Sequence, residues 1–445
     1  MNYFERRQKI DELFGNDFYQ KYPLSSRVLN RYIRSKIHYG NIETEIIKSE
    51  YRSDGGFRGL VKFLAYLFLY LLNLTISMFD RSDKGKILVS PSIFDRFEVL
   101  GRELKDKYNI CLPLTKKRVR YILRAKAKCL VEIDKIAYSG ESQKLLPETA
   151  SSVGKFIDDS SSFNRKILFN KLDSLEKILN VKIDKLSRLF INKKIKLYVS
   201  AFDQIYDDTF NLLACQRAGI KTKCIAHAFL TGNIKDEPKS NCLPVMADKL
   251  YVWSQEDYDS LEGYEEPGKI EIGGYPKFAK EYIEKMIKKY PEKKIITFFS
   301  GLAYDEEWIK QDIIIRRKLF NKLKEISEDR GYEIYVRYHG KDEKINRKNE
   351  EDLIKECHIK ISRNSLIKDL LQSEISLGFD TSCLYEAKVL GRKSFCLFTH
   401  TKYDKMYFLK NIEYIDVDDL PKKLGEKIDN NPKYHLLINV GSVID

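Results

Sequence analysis

Short apolar runs that end in a polar turn and lead into amphipathic stretches recur along most of this chain. Ile195–Ser200 has the composition of a strand, and residues 207–218 after it have the spacing of a helix that closes at Gly219. Strands that alternate with helices indicate a parallel sheet covered on both faces, so we predict an α/β fold. Further strands are predicted at residues 86–90, 223–229, 249–253, 269–274, 295–301, 332–337, 358–362, 374–377, 392–398 and 412–416, and further helices at residues 97–107, 255–261, 306–329, 366–372 and from 382.

The alternation is interrupted once, at the charged and proline-bearing segment 288–294, and it restarts at Ile295. A chain of 445 residues is long for one domain. We therefore predict a helical extension at residues 1–85, an N-terminal domain at 86–288 and a C-terminal domain at 289–445. The two domains are expected to be doubly wound and Rossmann-like, and to face each other across a cleft.

The extension contains an apolar segment at residues 63–79 that carries no charge over seventeen residues. This length is the lower limit for a bilayer span. Basic residues flank it on both sides, so the positive-inside rule gives no orientation. A buried helix, a helix lying in the membrane face and a true span all remain open. The basic run at 116–128 suits an anionic lipid surface, and equally a solvated helix face.

The net charge of the chain indicates which partners it binds, and its cysteines and N-terminus indicate the compartment in which it lies. The 79 Lys and Arg against 65 Asp and Glu give a net charge of +14, which favours anionic partners. We find no nucleic-acid-binding module and no aromatic–basic platform, so nucleic acid is not an expected partner. The eight cysteines lack metal-site spacing, and the charged N-terminus lacks the apolar core of a signal peptide. We expect a cytoplasmic protein.

The segment 331–398 has the pattern of an anion site on a parallel sheet. A predicted strand ends before Gly378, and Thr381 and Ser382 follow where a helix begins. Hydroxyl groups and free N–H groups at such a helix start bind phosphate, at the edge of the sheet where ligands bind. Glu386 follows one turn later, where it is placed to accept a hydrogen bond from a ribose hydroxyl. The alternative is ordinary capping of the helix by these residues.

A second part of this site is predicted at the end of the strand at 332–337. His339 and Gly340 follow that strand directly, and the imidazole is placed to donate to a phosphate oxygen or to stabilise a departing nucleotide phosphate. Arg337 and Lys341 would neutralise a diphosphate. A solvated loop histidine and ordinary surface charge are the alternatives.

The order of these motifs resembles the C-terminal half of GT-B glycosyltransferases. The likeness rests on His339-Gly340, the Thr381-Ser382 turn, Glu386-Ala387 and the strand after Gly391. It is nearest to bacterial enzymes of capsule, lipooligosaccharide and teichoic acid assembly, including bacterial sialyltransferases and CDP-glycerol glycerophosphotransferases. Upstream runs similar to the same group extend the likeness over roughly residues 195–400; they lie at 226–229, 247–254 and 272–277.

The resemblance implies a nucleotide-sugar donor held by the C-terminal domain and a general base on the N-terminal domain. Asp207 and Asp208 are the loose counterpart of the acidic pair that supplies the base, although acids that simply favour a helix start are an equal alternative. Asp95, Asp203 and His227 are further candidates for the base. No paired carboxylates with a metal-site pattern accompany the cleft, so we predict metal-independent transfer with no cofactor besides the donor.

These observations lead to one leading hypothesis. The protein is expected to move a sugar, with sialic acid from CMP-sialic acid as first choice, to a cell-surface glycan or lipid-linked oligosaccharide. The net positive charge and the segment 63–79 predict peripheral association with the inner face of the cell membrane. The alternatives are a CDP-glycerol or ribitol phosphotransferase, an enzyme resembling UDP-sugar 2-epimerases, and a basic membrane- or nucleic-acid-binding scaffold.

Overall fold

Two separate parallel sheets organise the protein, and the α/β class predicted from the sequence is confirmed. The computed structural model describes residues 20–37, 85–91, 93–94, 97–113, 129–131, 142–158, 165–201, 206–226, 245–261, 267–300, 306–338, 353–379, 381–398, 412–426 and 431–438. The apolar segment 63–79 and the basic run 116–128 lie outside these residues.

The first sheet has seven strands in the order β3-β2-β1-β4-β5-β6-β7, and the neighbouring strands pair in parallel. One face packs against helices α4 and α5, and the opposite face packs against α2. The strands are β1 (Lys86–Val89), β2 (Asn109–Pro113), β3 (Cys129–Val131), β4 (Ile195–Ser200), β5 (Lys221–Ile225), β6 (Lys249–Val252) and β7 (Ile270–Ile272). The helices are α1 (Pro23–Ile37), α2 (Glu98–Lys107), α3 (Ser142–Asp158), α4 (Arg165–Asn192), α5 (Tyr206–Arg217) and α6 (Gln255–Leu261).

The second sheet has six parallel strands in the order β10-β9-β8-β11-β12-β13. Counted from its own first strand, this order is 3-2-1-4-5-6, which is the Rossmann order, and the first sheet begins in the same way. The strands are β8 (Lys293–Phe299), β9 (Glu333–Arg337), β10 (Lys360–Ile361), β11 (Ser373–Gly378), β12 (Lys393–Leu397) and β13 (Glu413–Ile415). The helices are α7 (Lys280–Lys289), α8 (Glu306–Arg330), α9 (Leu366–Gln372), α10 (Ser382–Val389) and α11 (Leu420–Lys423).

Helix α1 is the described part of the predicted helical extension, and it packs against α3, α4 and α5 of the N-terminal domain. Its first turn is fixed by Glu176 of α4. The two carboxylate oxygens accept hydrogen bonds from the backbone N–H groups of Leu24 (3.1 Å) and Ser25 (2.6 Å). A negative charge at a helix start satisfies free N–H groups and complements the helix dipole, so α1 is bound as a further helix of this domain.

The chain passes from one domain to the other earlier than the predicted boundary at 288. Ile283 and Met286 of α7 pack with the buried residues of α9 and α10, so α7 belongs to the C-terminal domain. The crossing therefore lies in residues 273–279. The charged run at 288–294 resembled a linker because it is polar, but in the structure it joins α7 to β8 within one domain.

The chain also returns to the N-terminal domain near its end, where residues 436–438 pair with the crossing segment. The N–H of Tyr275 donates to the carbonyl of Leu436 (2.7 Å), and the N–H of Ile438 donates to the carbonyl of Tyr275 (2.9 Å). Gly274 allows this approach, because a Cβ atom there would lie 2.6 Å from the carbonyl oxygen of Leu437 and its φ is +86°. The two domains are thus joined by two adjacent segments.

Within the described ranges, no helix combines the length and the apolar character that crossing a membrane requires.

Candidate nucleotide site

Each sheet has a point where the strand order reverses. In the second sheet it lies between β8 and β11, so that Phe299 and Gly378 are neighbours at the carboxyl ends of these strands. In the first sheet it lies between β1 and β4. In open parallel sheets, ligands bind outside the carboxyl ends of the strands at this point. The predicted phosphate turn follows β11, so it lies at the reversal point of the second sheet.

The turn between β11 and α10 is tightly packed. A Cβ atom on Gly378 would lie 2.6 Å from Cγ2 of Thr381 and 3.0 Å from the carbonyl oxygen of Phe299. Thr381 is the N-cap residue of α10, and its Oγ1 accepts a hydrogen bond from the N–H of Cys383 (3.3 Å). The capping function that was an alternative for this residue is therefore present. Ser382 begins the helix and is half-buried.

Arg337 ends β9 and is fixed by a polar network. Its Nη1 donates to Oδ2 of Asp369 and to the carbonyl of Asn364, both at 2.7 Å. Asp369 is buried, and it also accepts from the hydroxyl of Ser362 (2.6 and 2.8 Å) and the side-chain amide of Asn364 (3.0 Å). The guanidinium is thus oriented by a buried carboxylate, which offsets part of its charge at the site.

Glu386 is fully buried and forms an ion pair that the sequence did not predict. Its Oε1 accepts from Nζ of Lys277, whose side chain is 20% exposed. Lys277 lies on the crossing segment, and its ammonium is 5.6 Å from the centroid of the Trp253 ring. The other oxygen of Glu386, Oε2, has no hydrogen-bond partner among the described residues.

Helix α10 is buried by both domains. The ring of Tyr385 lies 6.1 Å from that of Trp253 and 6.4 Å from that of Tyr275, both of which precede the C-terminal domain. Leu384 and Val389 join the same core as the helices of the first domain. Residues from the crossing segment and from the first sheet therefore surround the helix that carries the predicted nucleotide contacts.

Two positive charges act on the first turn of α10. Burial is the main reason that the pKa of the Cys383 thiol rises to about 11, and the charge of Glu386 raises that pKa further. Lys277 and Arg337 both lower the pKa of the same thiol. Burial, followed by the charge of Glu386, raises the pKa of Tyr275 well above its ordinary value.

The predicted base Asp208 is buried at the reversal point of the first sheet. Its Oδ1 accepts from the hydroxyl of Tyr198 in β4 (2.7 Å), and its Oδ2 accepts from the hydroxyl of Ser90, which follows β1 (3.0 Å). Burial and this carboxylate raise the pKa of Tyr198 well above its ordinary value. Such bonds fix the start of α5 to the sheet, so the geometry of Asp208 suits an anchoring role.

Several predicted site residues lie outside the described part of the chain, and their functions stay predictions. They are His339, Gly340 and Lys341, the further base candidates Asp95, Asp203 and His227, and the side chain of Asp207. The backbone of Asp207 lies in the first turn of α5. Across the described ranges, no group of three or more His, Cys, Asp or Glu side chains is arranged to hold a metal ion.

Known proteins offer a distant likeness in structure alone. No protein-family model matches the chain, and no curated protein matches it. The UDP-GlcNAc 2-epimerase of Neisseria meningitidis bound to UDP-GlcNAc is 11% identical with a TM-score of 0.48, over 81% of this chain and 98% of that one. The UDP-GlcNAc 2-epimerase of Methanocaldococcus jannaschii is 12% identical with a TM-score of 0.48, over 79% and 96%. A putative UDP-N-acetylglucosamine 2-epimerase of Listeria monocytogenes is 12% identical with a TM-score of 0.47, over 77% and 87%. Likeness at this level decides neither the family nor the reaction.

Proposed function

We propose that this protein is a glycosyltransferase that uses a nucleotide-activated sugar, with CMP-sialic acid as the first choice of donor. The observation that supports it most is the placement of Thr381, Ser382 and Glu386 at the reversal point of the second sheet. Hydroxyls and N–H groups at the start of α10 suit a phosphate. The buried carboxylate one turn later suits a ribose hydroxyl.

The neighbouring charges support a phosphate-bearing ligand. Arg337 at the end of β9 and Lys277 beside α10 are each oriented by a buried carboxylate, Asp369 and Glu386 respectively. A cation held in this way needs no reorganisation when an anion binds, which favours binding of a nucleotide phosphate. His339 follows Arg337 by two residues, and in this proposal it stabilises the phosphate that leaves when the sugar is transferred.

The acceptor side of the proposal rests on the first domain. Asp207 is the proposed general base, and Asp208 beside it anchors the start of α5 to β1 and β4. The acceptor is proposed to be a cell-surface glycan or a lipid-linked oligosaccharide at the cytosolic membrane face, because the net charge of +14 favours anionic surfaces.

A thermal-shift panel with CMP, CDP, UDP and GDP tests the nucleotide site. A ligand at one hundred times its Kd stabilises the folded state by about 2.7 kcal/mol, which such an assay detects. We expect the largest shift with CMP, and smaller shifts for the Ser382→Ala and His339→Ala variants. Ser174→Ala is the matched control, because Ser174 is an exposed serine on α4.

The outcomes separate the alternatives. Stabilisation by CDP without CMP favours glycerol or ribitol phosphate transfer. Stabilisation by UDP alone rejects both cytidine donors and supports a UDP-sugar enzyme, including a 2-epimerase. If no nucleotide stabilises the wild-type protein, the proposed function is rejected.

A further inference from the structure

The ion pair between Lys277 and Glu386 joins the segment that connects the domains to the helix proposed to hold the nucleotide. The two residues are 109 positions apart in the sequence. The ammonium of Lys277 pairs with the carboxylate and also lies over the ring of Trp253. Trp253 is itself fixed, because its indole N–H donates to the carbonyl of Ala226 (2.6 Å). The lysine thus contacts two elements beyond its own segment, helix α10 through Glu386 and the end of β6 through Trp253.

The carboxylate of Glu386 is only half satisfied by this pair. A buried carboxylate is costly unless it is paired and hydrogen-bonded. Lys277 supplies the opposite charge and a donor for Oε1, whereas Oε2 is buried without a hydrogen bond in the described ranges. Unsatisfied buried acceptors are rare in native proteins, and each calls for an explanation such as a role at a functional site.

We propose that Lys277 is a positioning residue of the nucleotide site, which holds Glu386 ionised and oriented so that Oε2 accepts a hydrogen bond from a ribose hydroxyl. This inference rests on the proposed function, and it adds a residue from outside the nucleotide-binding domain. Because Lys277 lies in the crossing segment, the contact with the ribose depends on how the two domains are placed against each other.

The consequence is a preference for ribonucleotides over deoxyribonucleotides. A site that hydrogen-bonds a hydroxyl discriminates against the analogue that lacks it, because a buried polar group is then left unpaired. A hydrogen bond to a charged acceptor is stronger than one to a neutral acceptor. A carboxylate fixed by Lys277 therefore discriminates more than a carboxylate without its cation.

The test is isothermal titration of the nucleotide that gives the largest thermal shift, together with its 2′-deoxy and 3′-deoxy analogues. We expect the wild-type protein to bind the ribonucleotide at least about tenfold more tightly than one of the two analogues. In Lys277→Met this ratio should fall to within about threefold. Lys277→Arg, which keeps the charge, should retain most of the wild-type preference for the ribonucleotide. Lys285→Met is the matched control, because it removes the same charge from an exposed position on α7.

Each outcome supports or overturns the inference. If Lys277→Met keeps the wild-type ratio, or binds the ribonucleotide more tightly, the lysine serves only to join the two domains. The inference is then overturned, while the proposed function stands. If no nucleotide binds the wild-type protein, the proposed function fails first. If circular dichroism shows that Lys277→Met is unfolded, Lys277→Gln, which keeps a donor without the charge, takes its place with the same expected loss of discrimination.

Discussion

Replacement of Gly378 by alanine tests whether the turn before α10 is as tight as its geometry indicates. The new methyl group would lie 2.6 Å from Cγ2 of Thr381 and 3.0 Å from the carbonyl oxygen of Phe299. Thr381 cannot rotate away without cost, because its Oγ1 caps the helix at the N–H of Cys383. Overpacking costs about 1–3 kcal/mol, and loss of a cap costs about 1 kcal/mol.

One effect opposes this cost. The φ of Gly378 is outside the left-handed region, so alanine adopts the same backbone and stabilises by about 0.5 kcal/mol through the unfolded state. The free energy of unfolding is therefore expected to fall by about 2 kcal/mol in Gly378→Ala. Urea denaturation followed by circular dichroism measures this change, and the thermal shift with nucleotide should fall as well.

Thr381→Ser provides the decisive second variant. Serine keeps the capping oxygen and removes the methyl group that the new Cβ would meet. The double variant Gly378→Ala/Thr381→Ser should therefore recover about 1 kcal/mol relative to the sum of the single variants. Additive effects, or a neutral Gly378→Ala, would refute the role assigned to this close approach.

Two further predictions concern the first domain. Glu176→Ala removes the acceptor for the N–H groups of Leu24 and Ser25, so hydrogen exchange in α1 should become faster by an amount that corresponds to about 1 kcal/mol; an unchanged rate would contradict the anchoring of α1. Burial lowers the pKa of Lys182 from 10.5 to about 8. Between these pH values the unfolded state holds a proton that the folded state has released, so the contribution of this residue to the free energy of unfolding should rise as the pH increases from 8 to 10. Urea denaturation at several pH values should show this rise in the wild-type protein and in the control Lys177→Met, which replaces an exposed lysine. Lys182→Met should lack the rise. An equal rise in Lys182→Met would mean that other groups cause the pH dependence.

The sequence predicted most strands of both sheets because each is a short buried run between polar turns. The predicted limits of the strand at 195–200 and the helices at 255–261 and 366–372 agree with the structure. Of the strand predicted at 223–229, the structure describes residues 223–226, and the strand there is Lys221–Ile225, which pairs with β4 so that Leu197 lies opposite Lys221. The local sequence pattern predicts that a strand is present, whereas the residues at which the strand begins and ends depend on its pairing with the neighbouring strand.

Helix α4 could have been predicted by the same reasoning. Its buried residues Leu168, Leu172, Leu175 and Leu179 recur three or four positions apart, which is the spacing of an amphipathic helix. Strand β3 is harder to recognise, because it has only three residues and pairs at the edge of the sheet.

The candidate site was predictable only in part. The turn at Thr381 and Ser382 follows from a strand, a glycine and a helix start, all of which are local signals. The partner of Glu386 is not local, because Lys277 reaches it only when the two domains are in contact. The pair between Arg337 and Asp369 likewise links two elements 32 positions apart. Periodicity and composition carry no information about such contacts.

The return of the chain to the first domain has a consequence for how the protein is made. Leu436 and Leu437 pack on the core of the first domain, and Ile438 pairs with Tyr275 and packs on the opposite face of the same sheet. A ribosome releases these residues only after it has synthesised the whole second sheet. The first domain therefore completes its packing last, although most of its sequence is translated first, and a gene fragment that stops at residue 288 encodes a domain without this closing segment.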